Sequence, residues 1–479
     1  SKSRSSAYLE KLIPSEIACA SWRYRAGRVT ESPMSKCREH TNEISLPRES
    51  LAILRLNRFN NYMEFSSGPS VTVNGPRLLA RIEELAQIGA IEGTRGCSRL
   101  AFTDSDREGR DLVVTWMRDL GLTITIDAVG NVVASTSSDG AEGAVMAGSH
   151  IDTVGTGGRF DGNLGVLAGL EVIEATIAAG LHLRRPLAVA FFSNEEGSRY
   201  PPDMMGSLAY VGGMSVESVL KVEGVDGTIV GEELDRIGYR GASPCPGVVP
   251  HAFVELHIEQ GPVLDNEAIQ IGVVEGVQGI SWTELKFVGQ SNHAGTTPMN
   301  LRLDPMAVAA EVAVAARAIA TEIGGTQVAT VGSLTLHPNL VNVVPAHATM
   351  TVDLRNTDET LLQHAEQLLA DNVERIAGRE GVSVESRSLA RFEPVEFDGR
   401  VVNAIEALAH QKGLSTRRMP SGAGHDAQMM ARVCPTGMIF VPSLKGISHN
   451  PAEHTDDDDL IAGTQLLADT LLTLTEVNW

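Results

Sequence analysis

The chain has 479 residues, of which 43% are hydrophobic and 21% are charged, a globular composition long enough for two or three domains. Its formal net charge of −21 argues against nucleic-acid binding, because contacts to phosphate need a basic surface. Five scattered cysteines with no CxxC pair favour a reducing cytoplasm over a disulfide framework or a thiolate zinc site, and no run of about 18 uncharged apolar residues indicates a membrane span.

The first 62 residues differ in charge from the rest of the chain. They contain more basic than acidic residues, whereas the remainder is strongly acidic, and they include no apolar stretch of the signal-peptide kind. A start at Met63 would leave a chain that soon enters a helical pattern at 75–91. We therefore expect residues 1–70 to be an extension outside the folded core, either a targeting arm or a stretch upstream of the true start.

From residue 71 onward, short β-rich runs alternate with helical runs, which is typical of an α/β layer structure. The run 143–150 predicts a buried strand, and 164–180 predicts a helix with apolar residues at three-to-four spacing. Two further buried strands are predicted at 186–193 and 437–443, and a strand with an alternating pattern is predicted at 252–261. All four strands end in polar residues, and the carboxyl edge of an open α/β sheet is where sites form.

Residues 278–390 follow a different order. A strand, a helix, two strands, a helix and a strand are predicted at 281–289, 304–323, 327–337, 347–356, 358–381 and 382–390. This βαββαβ order suits a small helix-on-sheet domain inserted into a larger one. The larger domain is then predicted to comprise residues 71–277 and 391–479.

Polar residues at the strand ends could form a metal site. Histidine and carboxylate ligands suit zinc, manganese, cobalt or nickel rather than calcium. One metal ion needs only three protein ligands, and a single carboxylate such as Asp161 can bridge two ions. The candidates are His150, Asp152, Asp161, Glu195, Glu196, His257, Glu259 and His449.

The doublet Glu195–Glu196 allows two adjacent carboxylates to act differently. Because the two side chains point in different directions, one can bind a metal ion while the other accepts and delivers protons. Asp152, two residues after His150, can hold the imidazole N–H and select its tautomer. The acidic run 455–459 is instead expected to begin a helix, with Thr455 as the N-cap and the aspartates in the first turn.

Each of these features alone has an ordinary explanation. His150 can be a hydrogen-bonded loop residue, the glutamate doublet a solvated face, and His257 a satisfied core histidine. Solvated loops do not readily explain why four strand ends all offer histidine or carboxylate side chains. The combination therefore favours a metal centre.

Several motifs together resemble a known family. They are GSHIDTV with GGRFDGNLGVLAG, FSNEEGSRY with MMGS, ELHIEQGP, SNHAGTTPM, NVVP with DLRN, SGAGHDA and ISHNPAEHT, in the expected order between about residues 72 and 479. The set is similar to the amidase, hydantoinase/carbamoylase family of the di-metal aminoacylase and carboxypeptidase superfamily. The resemblance implies a mixed-sheet di-metal hydrolase catalytic domain, binding two divalent ions (Zn, Mn, Co or Ni), with an inserted small α+β domain for dimerisation and closure.

The resemblance also implies roles for the residues of the metal centre. Glu195 would be the general base and then the general acid, and Asp152 would orient His150. The expected ligands are His150 and His257 for one ion, Glu196 and His449 for the other, and Asp161 as the bridge.

A second group of residues is implied to bind the substrate. His293 would help to polarise the scissile carbonyl, and in related dimers this residue reaches the site of the other subunit. Asn342 and Arg355 would bind the substrate carboxylate, Arg355 by a two-pronged contact. Gln260 and His425 would line the pocket.

The implied reaction is hydrolysis of the ureido C–N bond of an N-carbamoyl-L-amino acid or N-carbamoyl-β-alanine by a cytoplasmic homodimer. An allantoate or ureidoglycolate amidohydrolase is the alternative with the same ligands. The segment 195–207 is more similar to carbamoylases and β-ureidopropionases and so favours the N-carbamoyl substrates. A peptidase or aminoacylase is disfavoured by HIEQGP and SGAGHDA. A non-catalytic binding module is disfavoured because every expected ligand and Glu195 are present. No nucleic acid or membrane is expected as a partner.

Overall fold

The computed structural model describes residues 69–479, so the expectation about residues 1–70 falls almost entirely outside the described part. Within 69–479 the strands form two main sheets, and helices pack against each of them. The predicted α/β class, with a small unit inserted into a larger one, is confirmed. The borders at 277/278 and 390/391 stay predictions, and the second sheet runs from Gly279 to Phe392.

The strands of the described part are numbered here in chain order. They are β1 (Thr123–Ile126), β2 (Val132–Ser135), β3 (Val145–His150), β4 (Leu187–Phe192), β5 (Ala252–Ile258), β6 (Ile271–Val277), β7 (Gly279–Val288), β8 (Asn292–His293), β9 (Val328–His337), β10 (Val343–Val344), β11 (His347–Asn356), β12 (Ser383–Phe392), β13 (Val395–Glu396), β14 (Thr416–Ser421) and β15 (Thr436–Val441).

The α-helices of the same residues are numbered likewise. They are α1 (Gly75–Gln87), α2 (Asp104–Asp119), α3 (Asn163–Ala178), α4 (Met205–Tyr210), α5 (Val216–Leu220), α6 (Val230–Ile237), α7 (Val263–Glu267), α8 (Pro305–Ile323), α9 (Glu359–Glu380), α10 (Gly399–Gln411), α11 (Asp426–Met430) and α12 (Asp457–Glu476), with short 3₁₀ helices at Met299–Leu301 and Leu444–Gly446.

The larger sheet has the strand order β1-β2-β4-β3-β5-β15-β6-β13, with β14 beside β6. The four predicted strands β4, β3, β5 and β15 are adjacent in this order and mutually parallel. Each of their residues is buried, and α3 and α12 pack against these strands. Because parallel neighbours place their carboxyl ends at one edge, the polar segments after all four strands are brought together there.

The helix that follows the last strand of this group begins later than predicted. Helix α12 starts at Asp457 with Asp456 in the cap position, and Asp457, Asp458 and Asp459 lie in its first turn. The hydroxyl of Thr455 donates instead to the carbonyl of Pro442 at 2.8 Å. Thr455 is therefore not the N-cap, because its side chain ties the segment back to the end of β15, whereas the expected acidic first turn is present.

The smaller unit is an antiparallel sheet of order β12-β7-β11-β9 that packs against α8 and α9. Buried and half-buried residues alternate along β11, as expected for a strand with one face toward a core. A separate two-stranded ribbon, β8 with β10, pairs His293 with Val343. The predicted βαββαβ order is present, with this ribbon added to it.

Two polar contacts join the units near the start of β7. The backbone N–H of Gln278 donates to the carbonyl of Ser421 at 3.0 Å, and Nη1 of Arg355 donates to the carbonyl of Gly422 at 2.6 Å. The glycine-rich turn after β14 is therefore a joint between the two units. Among the helices of residues 69–479, none is both long and apolar enough to cross a membrane.

Candidate metal-dependent active site

The turn between β3 and α3 carries two of the expected ligands, His150 and Asp161. Gly162 adopts φ +68°, and a Cβ at this position would lie 2.4 Å from the imidazole ring of His150. A Cβ at Gly158 would lie 2.0 Å from a carboxylate oxygen of Glu453. Glycine is thus needed at both positions, because the backbone must pass close to side chains of the site.

Backbone contacts orient the imidazole of His150. Its Nδ1 lies 2.9 Å from the carbonyl oxygen of Asp152, whereas the nearest carboxylate oxygen of Asp152 is 3.9 Å away. The carbonyl therefore selects the tautomer, which differs from the expected contact with the carboxylate. Burial lowers the pKa of His150 to about 4, so its Nε2 carries a lone pair that can bind a metal ion.

His257, the sixth residue of β5, is held in the same way. Its Nδ1 lies 2.8 Å from the carbonyl of Ile258, and its Nε2 lies 3.2 Å from Oδ1 of Asp161. Burial works against protonation, but the contact with Asp161 raises the pKa of His257 to about 9. The carboxylate thus favours positive charge at this nitrogen, whether a proton or a metal ion supplies it.

Asp161 lies at the centre of the cluster and uses its two oxygens in two directions. Oδ1 lies 3.8 Å from Nε2 of His150 and 3.2 Å from Nε2 of His257. Oδ2 lies 3.4 Å from Nε2 of His449, which is itself 3.2 Å from Oε2 of Glu196. Although burial opposes ionisation, hydrogen bonds to His257 and His449 hold the pKa of Asp161 well below its usual value.

These separations fit metal ligands. Two ligands at about 2.1 Å from a tetrahedral ion lie about 3.4 Å apart, and the histidine–carboxylate pairs are separated by 3.2–3.8 Å. Two groups of donors share Asp161, one with His150 and His257, the other with Glu196 and His449. The donor set therefore suits divalent cations and places Asp161 where both groups meet.

The acidic side chains around the cluster also favour the binding of cations. Repulsion among carboxylates in a low-dielectric interior is costly unless positive charge offsets it. Beyond the ligand Asp161, five buried acidic side chains surround the cluster, namely Asp152, Glu195, Glu255, Asp426 and Glu453.

The turn after β4 holds Glu195 from both sides. The N–H groups of Glu195 and Glu196 each donate to the carboxylate of Asp152 at 3.3 Å. The carbonyl of Glu195 accepts from Met204 at 2.7 Å, where α4 begins, and Asn194 adopts φ +54°. Asp152 therefore holds the turn that carries Glu195 through its side chain, while its carbonyl orients His150.

The side chain of Glu195 faces the cluster without joining either donor group. Its Oε2 lies 3.4 Å from Nε2 of His150, and the residue is 7% exposed. Burial raises the pKa of Glu195 well above its usual value, and the nearby Asp426 and Glu196 add to this effect. A carboxyl group with a raised pKa can take up and release a proton near neutral pH.

Two contributors to the site were not anticipated. Glu453 is 4% exposed, and its Oε1 accepts from the N–H groups of Phe160 and Asp161 at 3.0 and 3.3 Å. The hydroxyl of Ser448 donates to Oδ2 of Asp161 at 3.1 Å. Both residues lie within the motif ISHNPAEHT, but no local spacing indicates that they reach a loop nearly 300 positions earlier in the chain.

Gln260 and His425 lie beside the expected ligands. The amide nitrogen of Gln260 donates to Oδ2 of Asp161 at 2.9 Å. The ring of His425 is buried 4.5 Å from the ring of His257, and its Nε2 lies 2.9 Å from Oγ of Ser421. The carboxylate of Glu259 does not hydrogen-bond to the proposed ligands. Its two oxygens instead accept from the first two N–H groups of α7.

Arg355 lies at the joint between the units. Its Nε and Nη2 donate to the carboxylate of Asp353 at 3.0 and 2.8 Å, and the guanidinium lies 5.9 Å from the ring of Trp282. One pair of donors is therefore already engaged. A ligand carboxylate would have to use the Nη1 edge, beside Gly422.

His293 lies on the ribbon, Asn342 directly precedes its second strand, and both residues are exposed. Nδ1 of His293 accepts from the N–H groups of Gly295 and Thr296 at 3.0 and 3.2 Å, so in the neutral ring the proton is on Nε2. None of the hydrogen bonds or ion pairs of the described residues joins either side chain to the metal-ligand cluster. Their place in catalysis stays a prediction.

Comparison with known proteins agrees with this geometry. A model of the peptidase family M20/M25/M40 matches residues 146–473, which contain every proposed ligand. The chain belongs to this family. Like its other members, it is a metal-dependent hydrolase, and it acts on amide bonds.

Relatives within the M20/M25/M40 family are similar over almost their whole length. The chain is 37% identical to an N-carbamoyl-L-amino acid amidohydrolase of Geobacillus stearothermophilus, over 84% of this chain and 99% of that protein. It is 35% identical to a ureidoglycolate hydrolase of Oryza sativa subsp. japonica, over 83% and 84%. A hydantoinase/carbamoylase family amidase structure from Burkholderia multivorans superimposes with a TM-score of 0.81 at 43% identity, covering 85% of this chain and 99% of that one. The expected hydantoinase/carbamoylase family is thereby confirmed.

Proposed function

We propose that the protein hydrolyses the carbamoyl C–N bond of an N-carbamoyl-L-amino acid or of N-carbamoyl-β-alanine. Water attacks the ureido carbonyl carbon, the bond to the amino-acid nitrogen breaks, and the released carbamate decomposes to ammonia and carbon dioxide. The observation that carries the proposal is a buried Glu195 that lies beside His150 and belongs to neither of the two donor groups that share Asp161. Similarity to N-carbamoyl-L-amino-acid amidohydrolases along 99% of their length supports the substrate class.

Two divalent cations are proposed, and zinc, manganese, cobalt and nickel all suit the donors. His150 and His257 would hold one, Glu196 and His449 the other. Asp161 would serve both through its two oxygens. When bound, the ions would supply positive charge that acidifies a nearby water and stabilises negative charge developing on the carbonyl oxygen.

Glu195 is proposed as the group that moves the proton. It takes a proton from the attacking water and delivers it to the departing nitrogen, a role typically worth 10²–10⁴-fold in rate. Asp152 holds the turn that carries Glu195 through two backbone N–H groups. The proton therefore moves at a fixed position relative to the ligands.

Residues of both units are proposed to bind the substrate. Gln260 lies against Asp161, and its amide oxygen has no hydrogen-bond partner among residues 69–479, so it can accept from a ureido N–H. Arg355 and Asn342 would bind the substrate carboxylate, and His425 would shape the pocket wall beside His257. His293 would donate from Nε2 to the carbonyl oxygen as negative charge develops.

Hydrolysis of allantoate or ureidoglycolate is the second candidate. Ureidoglycolate hydrolases of Oryza sativa and Arabidopsis thaliana are 35% and 30% identical to this chain, and they share the family fold. These substrates also carry a ureido group and a carboxylate, so the same residues would serve. The substrates of the two candidate functions differ only in the substituents on the carbon atom that is bonded to the scissile nitrogen.

Ammonia release from a substrate panel tests the proposal. The panel contains several N-carbamoyl-L-amino acids, N-carbamoyl-β-alanine, allantoate and ureidoglycolate. The expected result is the largest kcat/KM with an N-carbamoyl amino acid, loss of activity with a chelator and recovery with one of the four metals. Preference for allantoate or ureidoglycolate would select the second candidate, and full activity of metal-free protein would contradict the mechanism.

A cytoplasmic homodimer is proposed as the active form. Strand β9 is an edge of the smaller sheet, and Val328 and Leu334 on it are 46% and 38% exposed, while Val314 on the adjacent α8 is 70% exposed. An open edge with exposed apolar residues favours pairing with a second copy. Light scattering tests this dimer, and we expect a dimeric wild type and a weakened dimer in Leu334→Arg. A monomeric wild type would reject the proposal.

Mixed dimers test whether His293 serves the partner's site. Glu195→Gln and His293→Ala are each expected to be nearly inactive, and mixing them after reversible dissociation should restore about one quarter of wild-type activity. Half of the dimers are then mixed, and each mixed dimer has one complete site if the histidine acts across a two-fold interface. No recovery from verified mixed dimers would place His293 in its own subunit's site.

A further inference from the structure

Two arginines near the site have fully buried side chains. Arg99 and Arg110 are both 0% exposed, although arginine is rarely buried to this extent. A guanidinium stays cationic in proteins, so burying it is costly unless its contacts offset the loss of hydration. The contacts of the two side chains point to different parts of the site.

Arg99 joins the two ends of the loop between His150 and Asp161. Its Nε donates to the carbonyl of Ile151 at 2.8 Å, one residue after His150. Its Nη2 donates to Oδ1 of Asn163 at 2.7 Å, two residues after Asp161. One rigid guanidinium therefore sets the span across which the two ligands face each other.

The remaining contacts of Arg99 anchor this span to the fold. Nη1 donates to the carbonyls of Leu85 and Ile88 at 3.1 and 2.8 Å, at the end of α1. The amide nitrogen of Asn163 continues the chain of contacts to the carbonyl of Asp161 at 3.2 Å. No ion pair joins Arg99 to a carboxylate within residues 69–479, so neutral groups hold its buried charge, and two of them, on Ile151 and Asn163, lie at the ends of the ligand loop.

Arg110 contacts the turn that carries Glu195 instead. Its Nη2 donates to Oγ of Ser193 at 3.2 Å, and its Nη1 donates to the carbonyl of Gly130 at 2.7 Å. Its Nε pairs with Asp106 at 2.8 Å. The guanidinium also lies 5.3–5.5 Å from the rings of Phe102, Phe191 and Tyr239.

The contact with Gly130 leads to the same turn by a second path. Asn131, the next residue, accepts from the N–H of Ser193 at 2.9 Å and donates to the carbonyl of Gly206 at 2.9 Å. Arg110 thus stabilises the backbone of the turn that carries Glu195. None of its hydrogen bonds in the described part reaches the 150–163 loop.

We propose that the two buried arginines are positioning residues with separate roles: Arg99 sets the spacing of the metal ligands His150 and Asp161, and Arg110 sets the position of Glu195. The assignment rests on the proposed function, because it takes those three residues as ligands and base. The two arginines are matched in side chain and in burial, so each serves as the control for the other.

The test compares Arg99→Lys with Arg110→Lys in the full chain. Lysine keeps the charge but loses the planar fork that spans two segments. Mn²⁺ and Zn²⁺ titrations of the metal-free proteins give the metal Kd, and ammonia release at saturating metal gives kcat. Partners that orient ligands typically change metal affinity by 10–100-fold, and misplacing a catalytic group by about 1 Å can cost about 100-fold in rate.

Arg99→Lys is expected to weaken metal binding by about 10–100-fold. Arg110→Lys acts on the turn that carries both Glu195 and the proposed ligand Glu196, so it is expected to weaken metal binding less than Arg99→Lys does and to lose at least about tenfold in kcat at saturating metal. Loss of stability alone would move neither quantity in the folded protein. Asn163→Ala and Ser193→Ala, which remove one partner each, are the milder second pair should a lysine variant not fold.

An unchanged metal Kd in Arg99→Lys or Asn163→Ala would overturn the role of Arg99. A loss of metal affinity in Arg110→Lys equal to that in Arg99→Lys would overturn the separation of roles. A wild-type chain that binds none of Mn²⁺, Zn²⁺, Co²⁺ and Ni²⁺, titrated in the same way, would overturn the proposed function and with it this inference. If the wild type binds metal and turns over normally, and the arginine variants have the same metal Kd and kcat as the wild type, this inference is rejected while the proposed function stands.

Discussion

The larger unit and the inserted unit differ in how deeply they bury the proposed site residues. In the larger unit, His150, Asp161, Glu195 and His257 are between 1% and 7% exposed, although the side chain of His449 is 51% exposed. In the inserted unit, His293 and Asn342 are exposed, and Arg355 is held by Asp353 at the joint. The buried part of the proposed metal centre is therefore preorganised within one unit, and we propose that the substrate-binding residues of the inserted unit reach it by movement or from a partner subunit.

The strongest test of the preorganised half is Glu195→Gln. Glutamine keeps the size of the side chain but cannot move a proton, so we expect kcat to fall by about 10²–10⁴-fold. Metal content, measured by atomic emission, should stay at the wild-type level. Turnover near that of wild type in a fully metal-loaded variant would reject Glu195 as the base.

His293→Ala tests the exposed half. Removing one donor to a developing oxyanion typically costs about 10²–10³-fold in kcat, so a loss of that size is expected without a change in metal affinity. His364→Ala, which removes an exposed histidine on α9 of the same unit, is the matched control. Equal activities of the two variants would exclude His293 from the chemistry.

Gly162→Ala tests whether the loop between His150 and Asp161 can accept a side chain without losing metal affinity. Its Cβ would meet the ring of His150 at a backbone conformation that costs a non-glycine residue roughly 1–2 kcal/mol. We expect metal affinity to fall by about 10–100-fold, as for other changes that misplace a ligand. Gly155→Ala, where a Cβ would meet nothing within 4 Å, should bind metal normally, so equal metal Kd values would show that the loop adapts.

Arg355→Ala is expected to change substrate binding by about as much as Gly162→Ala changes metal binding, with less effect on turnover. A hydrogen bond to a charged group is worth about 1.5–3 kcal/mol, so KM for carboxylate substrates should rise by about 10–100-fold with kcat less affected. Arg387→Ala on β12 of the same sheet, whose side chain is 69% exposed, is the control. An unchanged KM would mean that Asp353 and Gly422 are the true partners of Arg355 and that the substrate binds elsewhere.

Periodicity predicted the buried strands and long helices because burial imposes it. The runs 143–150, 186–193, 252–261 and 437–443 correspond to β3, β4, β5 and β15, and the helices predicted at 304–323 and 358–381 correspond to α8 and α9. Short or half-buried strands such as β1, β13 and β14 carry weaker patterns, and β14 includes two arginines and a proline. These edge strands were not predicted.

Residue type and position at strand ends determined where the site lies, because parallel strands bring their carboxyl ends to one edge. That reasoning needs no coordinates, and His150, Asp161, Glu196, His257 and His449 do meet in one place. The tertiary structure alone decided how they are held. Backbone carbonyls orient His150 and His257, and the carboxylate of Asp152 accepts from the turn that carries Glu195. Glu453, Arg99 and Arg110 contact these segments from distant parts of the chain. Such contacts depend on which backbone groups folding leaves near a side chain, and no local spacing in the sequence encodes that.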